Sequence, residues 1–119
     1  MSDCLDAPQW NRAATLKRLG GDRELLAEMI AFFEEDADAL LKQIVECRAG
    51  QDFRGIERAA HSLKGIAATF DGFPAMHAAA ALESAAAGKQ AGDWDERINQ
   101  VRDAVEGLSK ALAKESASA

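Results

Sequence analysis

Apolar residues recur along this chain at spacings of three and four, the repeat of one face of an α-helix. The longest run, Leu26, Ile30, Phe33, Ala37, Leu40 and Ile44, predicts a helix over about Arg23 to Ala49, with Asp22 as its N-cap. A second seam, Phe53, Ile56, Ala60, Leu63, Ala67 and Phe70, predicts a helix opened by Gln51 or Asp52 and reaching about Phe70. A third, Trp94, Ile98, Val101, Val105, Leu108 and Leu112, predicts a last helix behind Asp93, with Glu96 placed as in a capping box. Pro74 suits the first turn of a helix that runs to Ala87, and a short helix is expected over Gln9 to Leu19. Glycines punctuate the pattern at Gly20-Gly21, Gly50, Gly72, Gly88 and Gly92. The terminal "AKESASA", residues 113–119, is expected to fray.

Short loops between amphipathic helices favour antiparallel neighbours. The expected fold is all-α: an antiparallel up-and-down four-helix bundle with a short extra N-terminal helix. It forms a single domain over 1–119 with its core at about 10–112. The alanine-rich "MHAAAALESAAAG" has little bulk, so its neighbours should approach it closely. With 48% hydrophobic residues and no tyrosine, the composition agrees with helices better than with sheets. No apolar run nears the roughly 20 residues of a membrane span. "MSDCLDAPQW" lacks the blocks of a signal peptide, so a cytoplasmic location is expected, and the start at Met1 suggests a standalone protein. The net charge of −6 disfavours nucleic acid and anionic lipid as partners. Cys4 and Cys47 stand in no metal-ligand spacing and read as reduced thiols.

One stretch breaks a local rule. "AAHSLKGIAATF", residues 59–70, places Gly65 inside a helix, where glycine costs about 1 kcal/mol relative to alanine. At about 100° per residue, His61 lies roughly 130° from the centre of the seam and faces water. Arg54, Arg58, Gly65 and Ala68 share that outer stripe, and Lys64 flanks it. An exposed imidazole near neutral pH keeps one ring nitrogen free to act as a nucleophile. A nearby ammonium suits a phosphoryl group attached to it. Gly65 and Ala68 leave bare backbone through which another protein can reach the ring. A lone surface histidine is usually just solvated, and the combination is what carries weight. His77 has Ala80 and Ala81 at the matching positions and reads as a plain surface residue.

This combination resembles the signature of histidine-containing phosphotransfer (HPt) domains, the intermediate carriers of multistep phosphorelays: histidine, two residues, lysine, then glycine. "LGGDRELLAEMIAFFEEDADALLKQIVECRAGQDFRGIERAAHSLKG" resembles the family's second and third helices, and "ALESAAAGKQAGDWDE" the following helix and loop. The resemblance covers about residues 10–112. It implies that His61 is the phosphorylated residue, Lys64 the phosphate-stabilising cation and Gly65 the access residue. Arg54, Arg58 and Ser62 would belong to the partner-docking surface. Glu83 stands where some members place a glutamine in a supporting polar role. One departure is Asp71, at a position where the family usually has glycine; Gly72 follows, and the turn geometry is left open.

The function so implied is transfer of a phosphoryl group from a receiver-domain aspartate to His61 and on to another receiver aspartate. Expected partners are response-regulator receiver domains or a hybrid sensor histidine kinase, with the chain itself a monomer. No cofactor is expected in the chain, since it has no Gly-rich phosphate loop; magnesium would sit on the receiver. No metal site is expected either: a di-metal bundle wants Glu-x-x-His, and Arg58 and Pro74 stand three residues before His61 and His77. The alternative is a non-phosphorylated bundle that docks on and regulates a sensor kinase, against which the intact His-x-x-Lys-Gly argues.

Overall fold

The computed structural model describes residues 8–118, and Cys4 lies outside them. Five helices follow in order: α1 (Arg12–Arg18), α2 (Arg23–Ala49), α3 (Phe53–Ala68), α4 (Phe73–Ala87) and α5 (Trp94–Ser118), with no strand among the described residues. Side-chain caps set the starts of four of them. Asn11, Asp22, Asp52 and Asp93 accept hydrogen bonds from the backbone of Ala14, Leu25, Gly55 and Glu96. The Asn11 cap explains why α1 begins later than the expected Gln9. α4 opens on Gly72 without a side-chain cap, with Pro74 in its first turn.

α2 packs against α3 and α5, α3 against α4, and α4 against α5, so the four long helices close a ring in chain order. The expected seams line its interior. Ile56, Ala60, Leu63 and Ala67 of α3 and all six apolar seam residues of α5 are buried, while Leu40 of α2 is only half-buried. α3 and α4 share the most extensive interface, because small buried residues meet there: Ala59, Ala60 and Ala67 against Ala75, Ala79 and Ala86. Phe70 anchors one end of the core, edge-on to Phe33 at 5.7 Å and to Trp10 at 6.0 Å. No described helix is long and apolar enough to cross a membrane.

Two helix ends differ from the expected bounds. Helix α5 runs on through Ala113 to Ser118, the segment expected to fray. Its anchor is Glu115, which takes two hydrogen bonds from Arg12, Nε at 2.6 Å and Nη2 at 3.0 Å, and so ties the last helix to α1. The α3 helix ends at Ala68, with Phe70 in the turn beyond.

That turn also resolves the Asp71 departure. Asp71 adopts the left-handed conformation, φ +52°, that a glycine would take without strain. Arg18 holds it there, with Nη1 3.2 Å from Asp71 Oδ2 and Nη2 donating to Thr69 O at 2.8 Å. The neighbouring Gly72 is required for space instead. A Cβ at Gly72 would meet Leu108 Cδ2 at 2.8 Å and two backbone carbonyls at 3.2 and 3.3 Å.

Candidate functional site

The buried neighbours Ala60 and Leu63 fix the α3 face that turns inward, and so aim the intervening residues outward. The His61 side chain is 68% exposed. Its Nδ1 lies 3.0 Å from Oε2 of Glu83, which projects from α4. Lys64, one turn beyond His61, donates from Nζ to the other carboxylate oxygen of Glu83 at 2.8 Å. The three side chains therefore form one unit across the α3–α4 seam, with Glu83 at its centre.

The electrostatics decide the tautomer. The hydrogen bond from Lys64, and after it the one from His61, hold the Glu83 carboxyl below its ordinary value against the cost of partial burial. An ionised carboxylate can only accept, so Nδ1 carries the hydrogen, and in the neutral ring Nε2 is the nitrogen that bears the lone pair. Nε2 has no protein partner among the described residues. The arrangement can thus present an oriented nucleophilic nitrogen to an incoming electrophile while neutralising positive charge on the ring.

Gly65 sits one turn further along in open space: a Cβ built there meets nothing within 4 Å. Ala68 is half-buried, less open than its place on the outer stripe implied. Arg54, Arg58 and Ser62 are exposed but do not converge. Arg58 and Ser62 line a shallow cleft toward α2 with Gln43 and Cys47, whereas Arg54 lines another with Phe53 and Lys89. Cys47 is a free, half-buried thiol, and burial beside the Asp52 carboxylate pushes its pKa up. His77 is exposed, with its ring centroid 6.4 Å from that of Phe73. No group of three His, Cys, Asp or Glu that could hold a metal ion occurs among the described residues.

Sequence reasoning missed an apolar patch beside this site. Phe32 is 63% exposed and lines a cleft with Met29, Ile66 and Thr69, next to Gly65 along α3. Leu25 is also exposed, so Leu25, Met29 and Phe32 form a second α2 stripe at helical spacing, outside the core seam. The signal was present: Phe32 immediately precedes the seam residue Phe33 and therefore points about 100° away from it.

Comparison with known proteins agrees with the geometry. The family model of the Hpt domain matches residues 28–111, which include α3, α4 and most of α2 and α5. No curated protein and no solved structure matches the chain. With an exposed, carboxylate-backed histidine at the centre of the matched region, the chain belongs to the Hpt domain family, the phosphocarrier modules that work with receiver domains and histidine kinases in phosphorelay signalling.

Proposed function

We propose that His61 is the phosphoryl carrier of this chain, taking the group from a receiver-domain aspartyl phosphate and delivering it to another receiver aspartate. The Nε2 lone pair attacks phosphorus, the P–O bond to the aspartate breaks, and the carboxylate leaves with that electron pair. Positive charge develops on the imidazole as the N–P bond forms, and Glu83, hydrogen-bonded at Nδ1, balances it. Lys64 keeps Glu83 ionised and adds a cation near the phosphoryl oxygens. The return step reverses these movements. Magnesium is supplied by the receiver, and this chain needs no cofactor of its own. The receiver docks over Gly65 and the Phe32 patch, where bare backbone and exposed apolar surface lie side by side. The chain acts as a cytoplasmic monomer.

The bundle that carries this site is antiparallel and up-and-down. In support, Arg48 near the end of α2 meets Asp95 at the start of α5, at 3.6 Å. Residues at the start of α3 and the end of α4 likewise line one cleft.

The observation that carries the reading is the Nδ1–Glu83 contact, which leaves Nε2 unpartnered beside open space. It is tested by incubating the chain with a panel of phosphorylated receiver domains and following label transfer. The label should be acid-labile and base-stable, as a phosphoramidate is, and His61→Gln should abolish it with helix content unchanged. Label that persists in His61→Gln, or resides on His77, refutes the assignment.

A further inference from the structure

A second surface lies across the bundle from His61. α2 and α5 close the ring with the sparsest contact of the four seams, and a cleft of about 520 Å³ runs between them. Its floor is apolar: Val105 is buried, Leu41 half-buried, and Val45 is 44% exposed although it adjoins the fully buried Ile44. The rim is charged, and its carboxylates, Glu34, Asp38, Glu46 and Glu106, outnumber its cations, Lys42 and Arg102. Lys42 Nζ lies 3.2 Å from Asp38, and Arg102 donates to Asn99 Oδ1 at 3.4 Å. Glu34, Glu46 and Glu106 on the same rim have no ion-pair partner among the described residues.

A trough between two helices offers the grooves into which the side-chain ridges of a third helix pack. Here four carboxylates against two cations leave the rim net acidic. We infer that this cleft docks a basic amphipathic helix of a partner protein, its apolar face on Leu41, Val45 and Val105 and its Lys/Arg flanks against Glu34, Glu46 and Glu106. A second copy of this chain fits less well, since two such rims would set like charges against each other. Because the α2–α5 seam is opposite the α3–α4 seam in the ring, a helix held here leaves His61 open to a receiver. The docking does not depend on the phosphotransfer reading.

The test uses two synthetic helical peptides with leucines at i, i+4 and i+7, one flanked by lysines and arginines, the other by glutamates. Each is titrated into the full chain by fluorescence anisotropy and amide NMR. At low salt the basic peptide should bind at least about tenfold tighter, a preference that shrinks as NaCl screens the rim. Amide shifts should follow α2 and α5 around Val45 and Val105. Val45→Asp should weaken binding at least about tenfold, and the combined Glu34→Lys, Glu46→Lys and Glu106→Lys should reverse the peptide preference. Both changes fall on exposed residues, so circular dichroism should match the parent protein, and label transfer to His61 should be unaffected by Val45→Asp. Equal affinities for the two peptides, indifference to the rim reversal, or shifts confined to the Leu25–Met29–Phe32 stripe would overturn the proposal. Self-association that Val45→Asp abolishes would instead assign the face to a second copy.

Discussion

Gly55 and Gly65 lie on the same helix, and replacing each by alanine should move stability in opposite directions. At Gly65 a Cβ meets nothing within 4 Å, so alanine adds neither contact nor clash. Only the backbone preference remains, worth up to about 1 kcal/mol in favour of alanine. For a domain of this size that raises Tm by roughly 3–5 °C. At Gly55 the added Cβ would lie 2.5 Å from Cys47 Sγ and 2.6 Å from Asp52 Oδ2. Asp52 caps α3 by accepting from the Gly55 N–H at 2.9 Å, and displacing a cap costs about 1 kcal/mol. With the thiol also forced to shift, Gly55→Ala should lose about 1–2 kcal/mol. Thermal unfolding followed by circular dichroism measures both. Gly65→Leu extends the argument to activity. The open space should let it fold, while the side chain intrudes on the docking partner and slows label transfer at least about tenfold. Stability and activity then separate, as when a local rule is broken for function. A Gly65→Leu protein that unfolds, or that transfers at the parent rate, refutes the access argument.

Lys64→Ala should slow phosphotransfer by up to about tenfold, since a partly exposed ion pair is worth about 0–1 kcal/mol; an unchanged rate in a stopped assay makes Lys64 a bystander. Phe32→Asp should leave Tm within about 1 °C, because an exposed position away from special contacts changes stability little, yet raise the receiver concentration needed for half-maximal transfer. Unaltered concentration dependence would remove Phe32 from the docking face. The folded-state pKa of Glu83 lies below the ordinary 4.5, so its stabilisation is complete above that value and is lost as pH falls through the lowered one. Glu83→Gln should therefore shrink the acid-side fall of Tm, with Glu115, held low by Arg12, supplying the remainder; an acid limb of full size in Glu83→Gln contradicts this.

The helices were legible because burial enforces period and capping leaves a residue signature. α2 runs from Arg23 to Ala49, the span its apolar seam and Asp22 imply. His61, Lys64 and Gly65 were legible as well, since all three lie on one helix whose buried face is unambiguous. What the sequence withheld depends on contacts between elements. The Arg12–Glu115 pair, which ties α5 to α1, joins residues 103 positions apart. The left-handed Asp71 depends on Arg18 reaching across from α1. Arg54 and Arg58 share a stripe in projection, yet they open onto different clefts because α2 and α4 flank α3 on opposite sides. Phe32 was readable in principle and was hidden by its neighbour Phe33, whose place in the seam accounts for only one of the two rings.

Glu83 shows most directly what packing adds to pattern. On α4 it is one polar residue in an alanine-rich helix of weak amphipathicity, and nothing in its local spacing marks it. The close α3–α4 interface, built from alanines on both sides, brings its carboxylate within hydrogen-bond distance of both His61 and Lys64. A glutamine there could accept the Nδ1–H equally well but would carry no charge. The carboxylate draws Lys64 into the same unit, and in the proposed transfer it would oppose the positive charge that the imidazole gains as phosphorus bonds to Nε2. The alanines of α4 are therefore part of the chemistry, because bulkier residues would hold the two helices apart and leave Glu83 beyond reach of the ring it orients.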